Sequence, residues 1–153
     1  MAVDVGGFSF ASIYAPFGAK PGVPAVERRV AWLESLSSLM NADGYASKRT
    51  VLAGDFNVKT DVVLGPKGDF TCHEQRALAK LCDLGFEDLY RRVRPDGDGF
   101  TFGFHRADKA TSRLHLVLGS TIVANHVRNA WVDVDFRLWK GAAPVVVELD
   151  PEF

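Results

Sequence analysis

Asp55 and Asn57 are the residues of this chain best placed to do chemistry. They stand in the string Gly54-Asp55-Phe56-Asn57, which closes a short apolar run, Thr50 to Ala53. An acid and an amide at the mouth of a buried strand can orient a water and donate a hydrogen bond to an anionic oxygen. Tyr14 ends an earlier run, Ile13-Tyr14-Ala15-Pro16, and brings a phenol to a second strand end. Arg113 and His115 open an alternating stretch, Arg113 to Leu118. A guanidinium there suits a phosphate. The imidazole is a candidate metal ligand, although it favours softer ions than Mg²⁺ and reads more simply as a half-buried, satisfied histidine. The others have plain structural readings too. Asp and Asn bond their own backbone in turns, and a strand-end tyrosine can simply keep its hydroxyl in water.

Two further clusters carry less. Cys72, His73 and Cys82 contain zinc-type donors, but their spacing fits no standard ligand pattern. Arg91, Arg92 and Arg94 could touch phosphates. In a chain of net charge -1 they read better as a solvated loop, with no global basic field to draw in nucleic acid.

The elements that must position these residues follow from periodicity. Phe8 to Ala15 alternates and is rich in aromatic and β-branched residues, so it reads as a strand. Pro16 to Pro24 is a loop. Ala25 to Asn41 reads as a helix, with Val26, Val30, Leu33, Leu36 and Met40 at three- and four-residue steps. Thr50 to Ala53 is a buried strand, and Asp61 to Phe70 a loop. Thr71-Cys72-His73-Glu74 has the form of a capping box, opening a helix to about Leu84 with Gly85 just past its end. Arg113 to Leu118, Val127 to Asp135 and Pro144 to Leu149 read as strands, and Phe100 to Phe104 is a candidate for another. The expected class is α+β: one mixed sheet of about six strands with helices on one face. Leu114, Leu116 and Leu118 share one face of their strand, while Arg113, His115 and Val117 share the other. Two helices cover one face only, so the second needs a partner layer or must be polar.

Length and composition set outer bounds. At 153 residues the chain is expected to form a single domain, 1–153, with a real core. A 47% hydrophobic content speaks against disorder. No run of about 18 apolar residues predicts a membrane span, and the first residues lack the features of a signal peptide. Cys72 and Cys82, on one predicted helix, lie too far apart for a disulfide. Two lone thiols point to a reducing, intracellular compartment.

Five landmarks in order resemble the exonuclease/endonuclease/phosphatase superfamily, nearest its exonuclease III and apurinic endonuclease branch. They are Ile13-Tyr14-Ala15-Pro16, Gly54-Asp55-Phe56-Asn57, Glu87-Asp88-Leu89-Tyr90 with Phe100-Thr101-Phe102, Arg113 to Ser120, and Lys140-Gly141-Ala142-Ala143-Pro144-Val145. The resemblance runs from Phe8 to about Leu149. It implies half of a four-layer αββα sandwich, the second half of the family's domain. It also implies an ancestral reaction: hydrolysis of a phosphate ester by water activated on Mg²⁺ or Mn²⁺. On that resemblance Asp55, Asn57 and Tyr14 are remnants of the catalytic site, Asn57 and Arg113 would meet the substrate phosphate, and His115 stands where the family has an aspartate that His could replace as a ligand. Gly141-Ala142 stands where the family has an Asp-His pair, and the family's metal-holding Asn and Glu belong to a first half not seen before Phe8. The expectation is therefore a chain inactive alone, with no cofactor required. It would act through protein association, with itself or another chain covering the bare sheet face, or as a subunit of a larger assembly. The alternative is a metal-dependent phosphodiesterase or nuclease completed by a partner chain. Nucleic acid binding without cleavage is a weaker expectation, and membrane association is not expected.

Overall fold

The computed structural model describes residues 2–17, 24–59, 72–103, 112–136 and 141–153. Five strands make the main sheet: β1 (Ala2–Val5), β2 (Phe8–Tyr14), β3 (Thr50–Asp55), β4 (Phe86–Asp88) and β5 (His115–Ser120), in the order β1-β2-β3-β5-β4. Among the described residues only β2 and β3 run parallel. Parallel neighbours need a crossover, and α1 (Pro24–Ala42) supplies it. α2 (Cys72–Asp83) lies beside α1. Two short helices follow β4 and β5: α3 (Leu89–Val93) and α4 (Thr121–Ala124).

The predicted mixed sheet is present with the two long helices α1 and α2 on one face, but it differs in two ways: the short α3 and α4 pack on the opposite face, and two strands leave the sheet. β6 (Val127–Val132) and β7 (Val145–Leu149) pair with each other and form a separate two-stranded sheet. Their sequences alternate like the main strands, so nothing local separates them. The choice is made by packing: Val127, Val147 and Leu149 turn toward Val51 and Val117 on the face opposite α1 and α2. The chain's own hairpin thus covers part of the face that sequence reasoning left bare.

Register explains the two cores. Leu52 pairs with Leu118 and Gly54 with Leu116, and their face meets Leu33 and Met40 of α1 and Ala77, Leu78 and Leu81 of α2. One residue out of step, Val51, Ala53 and Val117 point the other way, toward the hairpin and α4. At the N-terminal edge, Val3 pairs with Phe10 and Phe10 with Val51, so they share this second face. There the hairpin does not reach, and Val3 and Val5 remain 51% and 60% exposed.

The predicted capping residue Thr71 and the loop 61–70 lie outside the described residues. Glu74, expected to reach back to that cap, is fully buried with its Oε1 2.9 Å from Arg29 Nη1. Gly85 stands where predicted, at φ 100°, its N–H donating to Cys82. Among the described residues no helix is long and apolar enough to cross a membrane.

Candidate functional site

The loop after β3 is fixed by its own residues. Gly54 has φ 146°, and a Cβ there would stand 2.0 Å from the Ile13 carbonyl oxygen. Only glycine lets β3 lie this close to β2. Asp55 follows with its carboxylate on the opposite face, where Oδ1 accepts the Asn57 N–H at 2.9 Å. Phe56 is buried in the helix-side core. Asn57 adopts φ 51°, a left-handed conformation that Asn tolerates better than most residues. Its Nδ2 donates to the Ala15 carbonyl at 2.8 Å, and its own carbonyl accepts from Arg29 Nη1 at 2.7 Å. Arg29 and Glu74 form a buried pair linking α1 to α2 behind the loop. Sequence reasoning missed this pair. Its signal was available: Arg29 falls three residues after Val26 and four before Leu33, on the apolar stripe of α1.

Tyr14, Asp55 and His115 meet in one row. Tyr14 is the register partner of Asp55 across β2 and β3, and Asp55 that of His115 across β3 and β5. Register partners present their side chains on one face, so three predicted site residues are brought together by pairing alone. Tyr14 is 72% exposed. His115 is half-buried, with the Phe102 ring edge-on at 6.5 Å.

Thr101 sets the wall of this site. Its buried Oγ1 accepts the backbone N–H groups of Leu114 and His115, at 3.2 and 3.1 Å, and its carbonyl accepts from Ala143 N–H. Phe102 bridges to both Ser112 and Ala142. Ala142 is thereby held near β5, and a cavity of about 260 Å³ opens between Asp55 and His115 on one side and Ala142, Ala143, Pro144 and Val145 on the other. Of the two residues that the family resemblance aligns with an acid–base pair, Ala142 therefore does reach the site. Ala142 brings a methyl group, and Gly141 beside it has no side chain. The donor set does not suit a hard divalent cation, which takes about six oxygen ligands. Asp55 offers one carboxylate, already bonded to its own loop, and its neighbour is an imidazole. Among the described residues no three His, Cys, Asp or Glu side chains gather into a metal-binding group, which includes the region of His73 and Cys82.

Asn57 and Arg113 are placed apart from the cavity. Asn57 is buried and its amide is spent on Ala15. Arg113 is buried too, its Nη2 2.6 Å from both Asp88 oxygens and its guanidinium 5.2 Å over the Tyr90 ring. Asp88 in turn caps α3 by accepting from the Tyr90 and Arg91 N–H groups. The basic cluster is also engaged by its own chain. Arg91 donates to the Pro95 and Gly97 carbonyls, Arg92 pairs with Glu87, and Arg94 donates to the Ala130 carbonyl. Cys82 is a free cysteine at an exposed position whose thiol is held above its usual pKa, first by partial desolvation beside the protein surface and then by the nearby carboxylates of Asp88 and Asp83.

With this geometry fixed, comparison with solved structures is informative. An AP endonuclease from Archaeoglobus fulgidus superposes with a TM-score of 0.87 at 24% identity, over 97% of this chain and 64% of that one. The fold is that of an AP endonuclease, in part. A 3′-5′ exonuclease, NExo, from Neisseria meningitidis gives a TM-score of 0.86 at 25% identity, again over 97% of this chain and 64% of its own. The catalytic domain of Xenopus laevis APE2 follows at 0.76 and 14% identity. These neighbours support the superfamily resemblance. This chain spans less than two thirds of the length of the first two. No protein-family model and no curated protein matches it.

Proposed function

We propose that this chain is a catalytically lapsed half-domain of the endonuclease/exonuclease/phosphatase type that acts inside cells through association with protein. One observation carries the reading: the wall facing Asp55 and His115 is Ala142, Ala143, Pro144 and Val145. A phosphoester hydrolase needs a group to handle protons and charge at the phosphoryl oxygens, and that wall offers neither. Asp55, Asn57 and Tyr14 are then remnants, with Asn57 kept for the loop it ties and Asp55 for its turn. Arg113 is kept for Asp88 and would have to leave it to meet a phosphate. His115 on β5 and Tyr14 on β2 are the further polar groups in the Asp55 row, and no resident metal is needed. Purified chain should show no Mg²⁺- or Mn²⁺-dependent cleavage of abasic or nicked DNA. Cleavage that disappears in Asp55→Ala would overturn the proposal.

A second reading has its own support. About a third of each solved neighbour's chain has no counterpart here, and Asp55 still opens onto a cavity. On this reading a partner chain supplies the remaining metal ligands and the acid–base pair, giving a Mg²⁺-dependent phosphodiesterase or nuclease. Activity would then appear only on mixing with that partner.

A further inference from the structure

We infer that the cavity beside Asp55 binds a small organic ammonium, a protonated amine carried on a ring-sized apolar body, in place of a phosphoester. The inference rests on the reading of a lapsed site and names the ligand class that this site takes.

Three observations converge. The first is charge. Among the described residues that line the cavity, Asp55 is the only carboxylate, and no lysine or arginine stands with it. A carboxylate has about four acceptor sites, and the Asn57 N–H takes one of them, at Oδ1. A phosphate brought here meets a like charge, and Arg113, the residue expected to balance it, is held on Asp88 outside the cavity. A cationic ligand instead gains a charge-assisted hydrogen bond.

The second is the surface around that charge. Ala53, Val117, Ala142, Pro144 and Val145 line the cavity and are all half-buried. Its volume is about 260 Å³. An apolar cavity of about 150 Å³ already takes benzene, so one ring fits with space left for an amine. The third is Tyr14. It is the register partner of Asp55 on β2 and is largely exposed. Adjacent strands lie about 4.8 Å apart, and a ring face attracts a cation within about 6 Å of its centre. An ammonium on Asp55 is therefore within reach of the phenol.

A hydrated divalent ion is the competing cation. It would find one carboxylate and leave the apolar lining wet. A ring-bearing ammonium satisfies the carboxylate, the lining and the phenol together.

The test titrates the purified chain at neutral pH and follows amide shifts by NMR. Benzylammonium should shift Asp55, His115 and Val145 and saturate with a Kd of about a millimolar, the range open to so few atoms. Benzyl alcohol, the same ring without the charge, should bind about tenfold more weakly, and benzoate should not bind. n-Butylammonium, which stands in for a partner's lysine side chain, should bind about threefold more weakly or worse, because it covers less of the apolar lining. Asp55→Asn keeps an Oδ1 acceptor for the Asn57 N–H, so the fold should melt as before. In that variant benzylammonium should fall to the level of benzyl alcohol. Benzoate or inorganic phosphate shifting the same amides as strongly as benzylammonium overturns the inference. So does butylammonium that binds as tightly, or an Asp55→Asn chain that binds benzylammonium undiminished. The two readings fail separately. Loss of ammonium selectivity in a chain without nuclease activity overturns this inference alone, whereas Asp55-dependent cleavage of nicked DNA overturns the lapsed reading and this inference with it.

Discussion

Gly54 and Asp55 are chain neighbours that serve opposite faces of one sheet, and the faces have opposite fates. Gly54 lies on the helix side, which is closed by Leu33, Leu52, Leu81 and Leu116 and braced by Arg29 and Glu74. Asp55 lies on the hairpin side, where the cover is partial, the cavity wall is apolar, and β1 exposes Val3 and Val5. Three of the four residues in Gly54-Asp55-Phe56-Asn57 belong to the closed side: Gly54 by its close approach to Ile13, Phe56 by burial, Asn57 by its ties to Ala15 and Arg29. The motif is therefore a device for ending β3 against β2, and only its aspartate brings a side chain to the cavity. The motif's hold on the fold does not depend on any chemistry at the opposite face.

If that division is right, damage should be graded by face. The largest effect belongs to Gly54→Ala. Its methyl group would overlap the Ile13 carbonyl, and the backbone cannot retreat without unpairing β2 from β3. The loss should exceed about 4 kcal/mol, seen as insoluble protein or as the absence of a cooperative melt. Next is Arg29→Met, which removes the guanidinium from beside the buried Glu74 carboxylate. Breaking one half of a buried pair costs about 3–5 kcal/mol. Chemical denaturation should show it, and Arg29→Met combined with Glu74→Leu should regain most of the loss. If the double variant is no better than the single, Arg29 matters for the Asn57 carbonyl more than for Glu74.

Sequence reading reached the closed face more completely than the open one. α1 was legible because Val26, Val30, Leu33, Leu36 and Met40 recur at helical spacing, and β2 because Phe8 to Tyr14 alternates. Both are local signals. β4 and α3 were missed because three and five residues are too short to show a period. The separation of β6 and β7 from the main sheet was missed because pairing partners are chosen by contacts distant in sequence. At the site, the landmarks named Tyr14, Asp55 and His115, and the pairing register set them in one row. Arg113 was named for phosphate from its type and place. Its burial against Asp88 depends on where β4 ends, which the sequence does not display. Glu74 was read as a cap from its spacing to Thr71, although it also sits three residues before Ala77 on the buried stripe of α2.

A moderate effect should fall on the residue that touches both sides of the division. Asn57→Gly keeps the left-handed backbone and removes the amide that binds the Ala15 carbonyl. The expected cost is about 1–2 kcal/mol, since one buried acceptor loses its donor. Asn57→Ala should cost more, because alanine resists φ near 51°.

The smallest effects test the open face directly. His115→Ala removes a half-buried ring that meets the edge of Phe102. Its backbone N–H stays on Thr101 Oγ1. The change in stability should be within about 0.5 kcal/mol. Asp55→Ala should cost about 1 kcal/mol, the bond it accepts from the Asn57 N–H. Neither should alter phosphodiester cleavage, because the purified chain is expected to have none. The ordering matters more than either value. Should His115→Ala or Asp55→Ala destabilise the chain as much as Arg29→Met, the cavity side would be a structural core in its own right. Its Ala142-to-Val145 wall would then read as packing against that row and would no longer mark an emptied site.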